Sequence, residues 1–140
     1  PVQVGDATDW QSVSAGEIHT CGVRAGRLSC WGFYGPSTGS LSPMRVGSAT
    51  DWQSVSAGLF HTCGVRADGL YCWGVNDYGQ LGDGTLADSS LPVQVGLAMD
   101  WQSVSVGFHH TCGVRAGGLY CWGDRSGGAP VPVPKPITLE

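Results

Sequence analysis

The chain has 140 residues, of which 23 are Gly and 8 are Pro, a composition that favours short strands and tight turns over helices. Its net charge is -4 and only 13% of its residues are charged, so no nucleic-acid binding through phosphate neutralisation is expected. The sequence contains no run of about 20 apolar residues, so no membrane insertion is expected either.

Three nearly identical segments follow one another along the chain. Each begins with Asp-Trp-Gln-Ser-Val-Ser, continues through Gly, two variable residues and His-Thr-Cys-Gly-Val-Arg-Ala, and closes with Leu-x-Cys-Trp-Gly. The copies begin at Asp9, Asp51 and Asp100. The copies are offset by 42 and then 49 residues, and a period of this length is typical of stacked units that cannot each bury an apolar face alone. We assign the repeats to about residues 1–42, 43–91 and 92–129, followed at 130–140 by a proline-rich tail or the start of a further unit.

Each copy predicts four short strands. In the second copy they are Pro43–Gly47, Trp52–Ala57, His61–Arg66 and Leu70–Trp73. A glycine-rich loop over Gly74–Thr85 follows, and it is complete only in this copy. Four strands in each repeat of this length predict an all-β fold of propeller blades.

The six cysteines occupy equivalent positions, nine residues apart within each copy. A two-residue turn at 67 and 68 would place Cys63 directly opposite Cys72, at disulfide distance. We therefore predict disulfides within the hairpins and an oxidising compartment, secreted or at the cell surface. Zinc binding by the His-x-Cys pairs and free buried thiols are the alternatives, and zinc is disfavoured because structural sites usually present closely spaced cysteines. The predicted pairs are Cys21–Cys30, Cys63–Cys72 and Cys112–Cys121. We expect no metal site and no cofactor.

The second copy carries a complete pattern of glycines, aromatic and polar residues that ends in the glycine-rich loop. Its residues are Gly58, His61, Thr62, Gly69, Trp73, Gly74, Asn76, Gly79, Gln80, Leu81, Gly82 and Gly84. This pattern resembles the regulator of chromosome condensation repeat, which the first and third copies match only as far as Trp31-Gly32 and Trp122-Gly123. The resemblance implies a β-propeller, usually of seven blades in one ring, and the added cysteines suggest an extracellular bacterial relative.

Three blades cannot close a ring of that kind, and two blade edges would remain open. We therefore expect either a piece of a longer polypeptide or a head-to-tail assembly of the chain with copies of itself. The segment Pro130–Val133 would begin a further blade, donate an edge strand or act as an extended linker.

The residues repeated in all three copies favour packing over catalysis, because a catalytic site is a unique constellation. We expect the repeated imidazoles His19, His61 and His110 to hydrogen-bond the backbone, and the aspartates before the first tryptophan of each copy to fix turns. The sequence contains no nucleophile elbow or phosphate-binding loop, so no enzyme is predicted.

Binding residues are expected where the copies differ, in the loop before each repeated histidine and in the loop after Trp-Gly. The resemblance implies a protein-interaction platform, its known members including a nuclear exchange factor and secreted inhibitors of other proteins. We predict an interaction or assembly module. The alternatives are a structural subunit that polymerises by edge-to-edge blade pairing and a lectin-like glycan binder; a simpler role for Phe60 and Phe108 is to plug the central channel. The candidate binding residues are Ile18, Phe33, Tyr34, Leu59, Phe60, Asn76, Tyr78, Phe108 and His109.

Overall fold

Each copy of the repeat folds into a four-stranded antiparallel sheet whose strands follow chain order. The computed structural model describes residues 1–35, 38–123 and 131–132, and these contain no helix. The first sheet contains β1 (Trp10–Ala15), β2 (His19–Arg24), β3 (Arg27–Gly35) and β4 (Thr38–Arg45). The second contains β5 (Trp52–Ala57), β6 (His61–Arg66), β7 (Gly69–Gly74) and β8 (Ser89–Gln94). The third contains β9 (Trp101–Val106), β10 (His110–Arg115), β11 (Gly118–Gly123) and β12 (Val131–Pro132).

The fourth strand of each sheet precedes the next Asp-Trp motif in sequence. We predicted Pro43–Gly47 as the opening strand of the second copy, but Ser29 on β3 pairs with Arg45 on β4, so this segment closes the first sheet. Consecutive strands usually pair with each other, so β4 pairs with β3. The repeat period in the sequence does not show which strand opens a sheet, because it is the same wherever the repeat is taken to begin. In the tail, Val131 pairs with Cys121 as the fourth strand of the third sheet.

The cysteine pairs lie directly opposite each other on the second and third strands of each sheet, as predicted. Cys63 pairs in register with Cys72, and a two-residue turn joins Arg66 to Gly69. Disulfides link Cys21–Cys30, Cys63–Cys72 and Cys112–Cys121. Each hairpin therefore carries its own covalent link across neighbouring strands.

Adjacent sheets meet through two tryptophans of the later sheet, which pack on the apolar face of the earlier one. Trp52 and Trp73 are 4% and 1% exposed, and Trp101 and Trp122 are 6% and 1% exposed. The first junction buries them against Cys21, Val23, Leu28, Cys30 and Val46, and the second against Cys63, Val65, Leu70, Cys72, Leu81 and Val95. The hydrophobic core therefore lies between the sheets, and a single repeat cannot form it alone.

A histidine–threonine hydrogen bond crosses each junction. His19 Nε2 lies 2.7 Å from Thr62 Oγ1, and His61 Nε2 lies 2.9 Å from Thr111 Oγ1. We expected backbone partners for these imidazoles. The partner of Nε2 in His19 and His61 is the threonine hydroxyl of the following sheet, and a hydrogen bond with the backbone of His110 also acts on the pKa of His61. The His61-Thr62 dipeptide thus links the second sheet to both of its neighbours.

The aspartate before each first tryptophan pairs with an arginine rather than fixing a turn. Asp51 accepts a hydrogen bond from Arg66 Nε at 2.7 Å, and the Arg66 guanidinium lies 5.7 Å from the centroid of the Trp52 ring. The same ion pair joins Asp9 to Arg24 and Asp100 to Arg115. The guanidinium beside each carboxylate lowers the pKa of Asp9, Asp51 and Asp100.

The glycine-rich loop of the second sheet seals the junction with the third. Leu81 is fully buried in that core, and the carbonyl oxygen of Gln80 accepts hydrogen bonds from Trp122 Nε1 and Thr111 Oγ1 at 3.0 and 2.8 Å. The first copy has a different sequence here, and Trp73 Nε1 has no hydrogen-bond partner among the described residues. The loop that makes the second copy longer therefore contributes to sheet packing.

Candidate protein-interaction face

Three equivalent loops converge at one end of the sheets, between the first and second strand of each. They span residues 16–18, 58–60 and 107–109, and each begins with a glycine whose amide donates to the carbonyl oxygen of the histidine three residues later. A Cβ on Gly16 would overlap the carbonyl oxygen of Gly58, and a Cβ on Gly58 would lie 2.7 Å from that of Gly107. The glycines therefore allow the three loops to approach one another closely. We call these loops together with Tyr78 the loop face.

The two variable residues of each loop have different surroundings. The first of them, Glu17, Leu59 or Phe108, lines a cavity of about 220 Å³ shared by the three sheets. The second precedes the repeated histidine. In the first two sheets its carbonyl accepts a hydrogen bond from the amide of the residue after Trp-Gly, which is Phe33 for Ile18 and Val75 for Phe60. Alanine and valine side chains at the ends of β1, β5 and β9 complete the cavity. Phe108 thus lies at the mouth of this cavity and remains 57% exposed.

An aromatic cluster joins the second sheet to the third on this face. The Tyr78 ring stacks on the His109 imidazole with centroids 4.2 Å apart, and Phe108 meets the same imidazole edge-on at 4.6 Å. Tyr78 is 41% exposed, and Phe60 and Ile18 on the neighbouring loops are 45% and 42% exposed. Several large apolar side chains on a disulfide-linked scaffold therefore face solvent at one end of the molecule.

Two of the other candidate residues have different environments. Asn76 is fully buried: its side-chain amide donates to the carbonyls of Thr85 and Ala87, and its side-chain oxygen accepts from Leu81 N at 2.9 Å. It therefore supports the glycine-rich loop and is not open to a ligand. Tyr34 lies in β3, and its side chain lies outside the described part of the chain.

Phe33 belongs to a second apolar surface on the first sheet. It is 69% exposed and lines a cavity of about 330 Å³ with Leu41, which is fully exposed on the outer strand β4. The backbone of Phe33 donates to Ile18 O, which connects this strand to the first of the three loops. Leu41 was absent from our sequence prediction because its exposure depends on the position of β4 at the outer edge of the sheet.

The buried histidines have the electrostatic properties of packing residues. Burial lowers the pKa of His61 to about 4 and also lowers the pKa of His19. Both imidazoles are therefore neutral at physiological pH, and each is engaged with a threonine across a sheet junction. Within residues 1–35, 38–123 and 131–132, no three His, Cys, Asp or Glu side chains are grouped as metal ligands, and no helix is long and apolar enough to cross a membrane.

Comparison with known families agrees with this arrangement of sheets and junctions. A model of the regulator of chromosome condensation (RCC1) repeat matches residues 68–114, and a second model of the same repeat matches residues 52–80. The matched segments begin at β5 and run through β10. These residues are RCC1 repeats. No curated protein matches the chain significantly.

Solved propellers share the fold. Prp20p from Saccharomyces cerevisiae, whose structure is described with its binding to Gsp1p and histones, superposes with a TM-score of 0.79 at 20% identity, covering 95% of this chain and 40% of its own. Human WBSCR16 superposes with a TM-score of 0.77 at 20% identity, covering 89% of this chain and 38% of its own. The ectodomain of the receptor kinase ACR4 from Arabidopsis thaliana gives a TM-score of 0.50 at 26% identity, covering 81% of this chain and 36% of its own. The chain thus spans about two fifths of the length of these proteins.

The three sheets are therefore propeller blades of the RCC1 type, each with a disulfide across its middle hairpin. RCC1 repeats form protein-interaction modules, and the disulfides suit an oxidising compartment. The described sheets do not close into a ring.

Proposed function

We propose that this chain is a non-enzymatic interaction module that binds a protein partner through the loop face. The observation that supports it most directly is the convergence of Ile18, Phe60 and Phe108 at one end of the blades, with Tyr78 and His109 stacked beside them. Large exposed aromatic side chains held on a rigid scaffold are typical of the anchor positions of protein interfaces. The loop face differs in sequence from blade to blade, as a surface for one specific partner requires.

An extracellular location is part of this proposal. Three disulfides in 140 residues would be unusual in a reducing cytosol, where thiols stay reduced. The receptor-kinase ectodomain that superposes on 81% of this chain supports the same location, because it is the extracellular part of its protein. We therefore place the module outside the cell or on its surface.

The repeated titratable residues support a binding role rather than catalysis. The strongly shifted pKa belongs to His61, whose imidazole is committed to Thr111. A general base that works near neutral pH needs a pKa close to 7 and access to substrate, and His61 has neither. The aspartates with lowered pKa values are in turn committed to arginines.

Assembly of the chain with copies of itself is a second candidate function. It is favoured by Leu119 of the third blade, whose side chain is 47% exposed. Its equivalents in the other two blades, Leu28 and Leu70, are fully buried. Polymerisation into a structural filament would be the open form of the same assembly. A glycan remains the alternative ligand of the loop face, since sugar rings also stack on exposed aromatic side chains.

The test of the loop face uses two variants with matched changes. Phe60→Ser combined with Phe108→Ser removes two exposed anchors, whereas Phe33→Ser removes an exposed aromatic from the separate cavity on the first blade. We expect the double variant to lose at least tenfold in affinity for the protein partner captured by the wild-type chain, and Phe33→Ser to retain it. Circular dichroism should show that both variants remain folded. Equal binding by all three chains, or capture of glycans on an array and of no protein, would contradict the proposal.

A further inference from the structure

The two junctions between blades use equivalent residues, and each junction joins two different kinds of sheet face. The earlier blade presents a histidine and an apolar surface of two cysteines, a valine and a leucine. The later blade presents a threonine and two tryptophans. In both junctions the tryptophans are at most 6% exposed and the receiving leucine is fully buried.

The third blade presents the residues of the receiving face a third time, and no other blade among the described residues packs on them. We call His110, Cys112, Val114, Leu119 and Cys121 the third-blade face. His110 is exposed, although its equivalents His19 and His61 are 4% and 0% exposed. The His110 ring forms no hydrogen bond to a side chain of the described residues. Leu119, 47% exposed, lies at the position of the fully buried Leu28 and Leu70.

The first blade presents the complementary inserting face, also open. We call Trp10, Val13, Thr20 and Trp31 the first-blade face. Val13 is 67% exposed, whereas its equivalents Val55 and Val104 pack against the two junction cores. The Thr20 hydroxyl has no histidine opposite it among the described residues, whereas Thr62 and Thr111 each meet one.

The first-blade face already has the geometry that a junction uses. The rings of Trp10 and Trp31 lie 5.9 Å apart at 60°. The corresponding pairs Trp52–Trp73 and Trp101–Trp122 are at 5.8 Å and 63° and at 5.6 Å and 61° inside the closed junctions. The tryptophan pair thus adopts its packed arrangement without a neighbouring blade, so docking requires little reorganisation.

We propose that the third-blade face of one chain receives the first-blade face of a second copy, forming a junction equivalent to the two within the chain. The contact is head-to-tail: His110 of one copy meets Thr20 of the next, Leu119 receives Trp10 and Trp31, and Ser105 Oγ accepts from the amide of Ala15. The last contact repeats those of Ser14 with Ala57 N at 2.9 Å and of Ser56 with Val106 N at 3.0 Å. The proposal rests on self-assembly and specifies its contacts.

A heterologous contact can be tested with two complementary variants. Val13→Glu blocks the first-blade face and leaves the third-blade face intact, and Leu119→Glu does the reverse. Both side chains are exposed within the chain, so neither change removes a packed core residue. Burying an unpaired carboxylate at a junction should weaken association by roughly 100-fold or more. Leu41→Glu, on the outer strand β4, is the matched control.

Sedimentation velocity is then recorded on each variant and on mixtures at micromolar concentration. We expect each blocked variant alone to be a monomer, an equimolar mixture of the two to form a 1:1 heterodimer that grows no further, and Leu41→Glu to associate like the wild type. A mixture that stays monomeric while the wild type associates would exclude the head-to-tail contact. A monomeric wild-type chain would exclude the junction altogether.

These outcomes are separate from those of the loop face. Val13→Glu and Leu119→Glu leave Phe60 and Phe108 unchanged, and the loop-face double variant leaves both junction faces unchanged. Loss of partner capture with normal association would count against the loop face alone, and loss of association with normal capture against the junction alone.

Discussion

At the scale of single residues, the repeated positions gain their importance from the contacts between blades. His61 has no solvent exposure, and burial keeps its imidazole neutral down to a pKa of about 4. In the unfolded chain the same group titrates near 6.5. The unfolded state therefore binds a proton in the interval from 6.5 to 4 that the folded state does not bind.

Stability should accordingly fall as the pH is lowered through that interval. The neutral form is the one that folding favours, so the contribution of His61 is complete above pH 6.5 and is lost on acidification, by about 2 kcal/mol at pH 5. His61→Gln retains a side chain that reaches Thr111 but does not titrate, and it should show a shallower slope. Urea unfolding at several pH values measures the slope, and an equal slope in both proteins would show that His61 does not cause it. The Asp–Arg pairs do not add to this slope: because the pKa of each aspartate is lowered in the folded chain, their stabilisation is complete above about pH 4 and is lost only on further acidification.

The two junction tryptophans provide a matched comparison of one hydrogen bond. Trp122 Nε1 donates to Gln80 O at 3.0 Å, whereas Trp73 Nε1 has no partner among the described residues, and both rings are 1% exposed. Trp122→Phe should therefore cost about 1 kcal/mol more in the free energy of unfolding than Trp73→Phe. Thermal denaturation of the two variants measures this difference. Equal losses of stability would show that the hydrogen bond of Trp122 adds nothing.

At the scale of the elements, the glycine-rich loop of the second blade acts as part of the junction with the third. Gly82 has a φ of +69° and lies against the Trp122 ring, where an added Cβ would be 2.5 Å from Nε1. Gly84 has a similar φ of +80° but no atom within 4 Å of the same position. The two glycines thus share a backbone requirement and differ in the space around them.

Replacement of each glycine by alanine separates these two effects. Gly84→Ala should cost about 1 kcal/mol through its left-handed backbone alone. Gly82→Ala should cost more, by at least about 1–2 kcal/mol, because the new methyl displaces Trp122 or the loop. Chemical denaturation gives both values. If Gly82→Ala proved no worse than Gly84→Ala, the loop would not be packed on the third blade as described.

The hairpin disulfides were predictable from sequence because they depend on local register. Nine residues between cysteines and a two-residue turn place Cys63 opposite Cys72, and no distant contact is needed. The assignment of the fourth strand was not predictable in the same way. In the sequence, the segment before the second Asp-Trp motif lies between the strands of two blades. Only its pairing with β3, as at Ser29 and Arg45, identifies the sheet to which it belongs.

The candidate site was predictable in outline, and its geometry was not. Variation between copies at the loop before each histidine identified Ile18, Phe60 and Phe108, and these are exposed at one end of the blades. The stacking of Tyr78 on His109 joins two blades, so nothing in the local sequence indicates it. Asn76 was predicted as a binding residue but is buried. Its position in a glycine-rich loop did not distinguish the two roles, because a polar side chain there can hydrogen-bond the loop's own backbone as well as a ligand.

At the scale of the whole molecule, the third-blade face and the first-blade face pack against no other blade among the described residues. The third-blade face carries Leu119 and His110 in the exposed state, and the first-blade face carries Val13. Both faces are apolar, and the chain has few charges to keep such surfaces apart. Self-association through a third junction would bury these side chains as their equivalents are buried within the chain.

The mass of the 140-residue chain in solution tests this claim most directly. Sedimentation equilibrium at micromolar concentration should give a mass that is a multiple of 14.6 kDa and that increases with concentration until a ring closes or a filament grows. A stable, well-folded species of 14.6 kDa over the whole concentration range would contradict it.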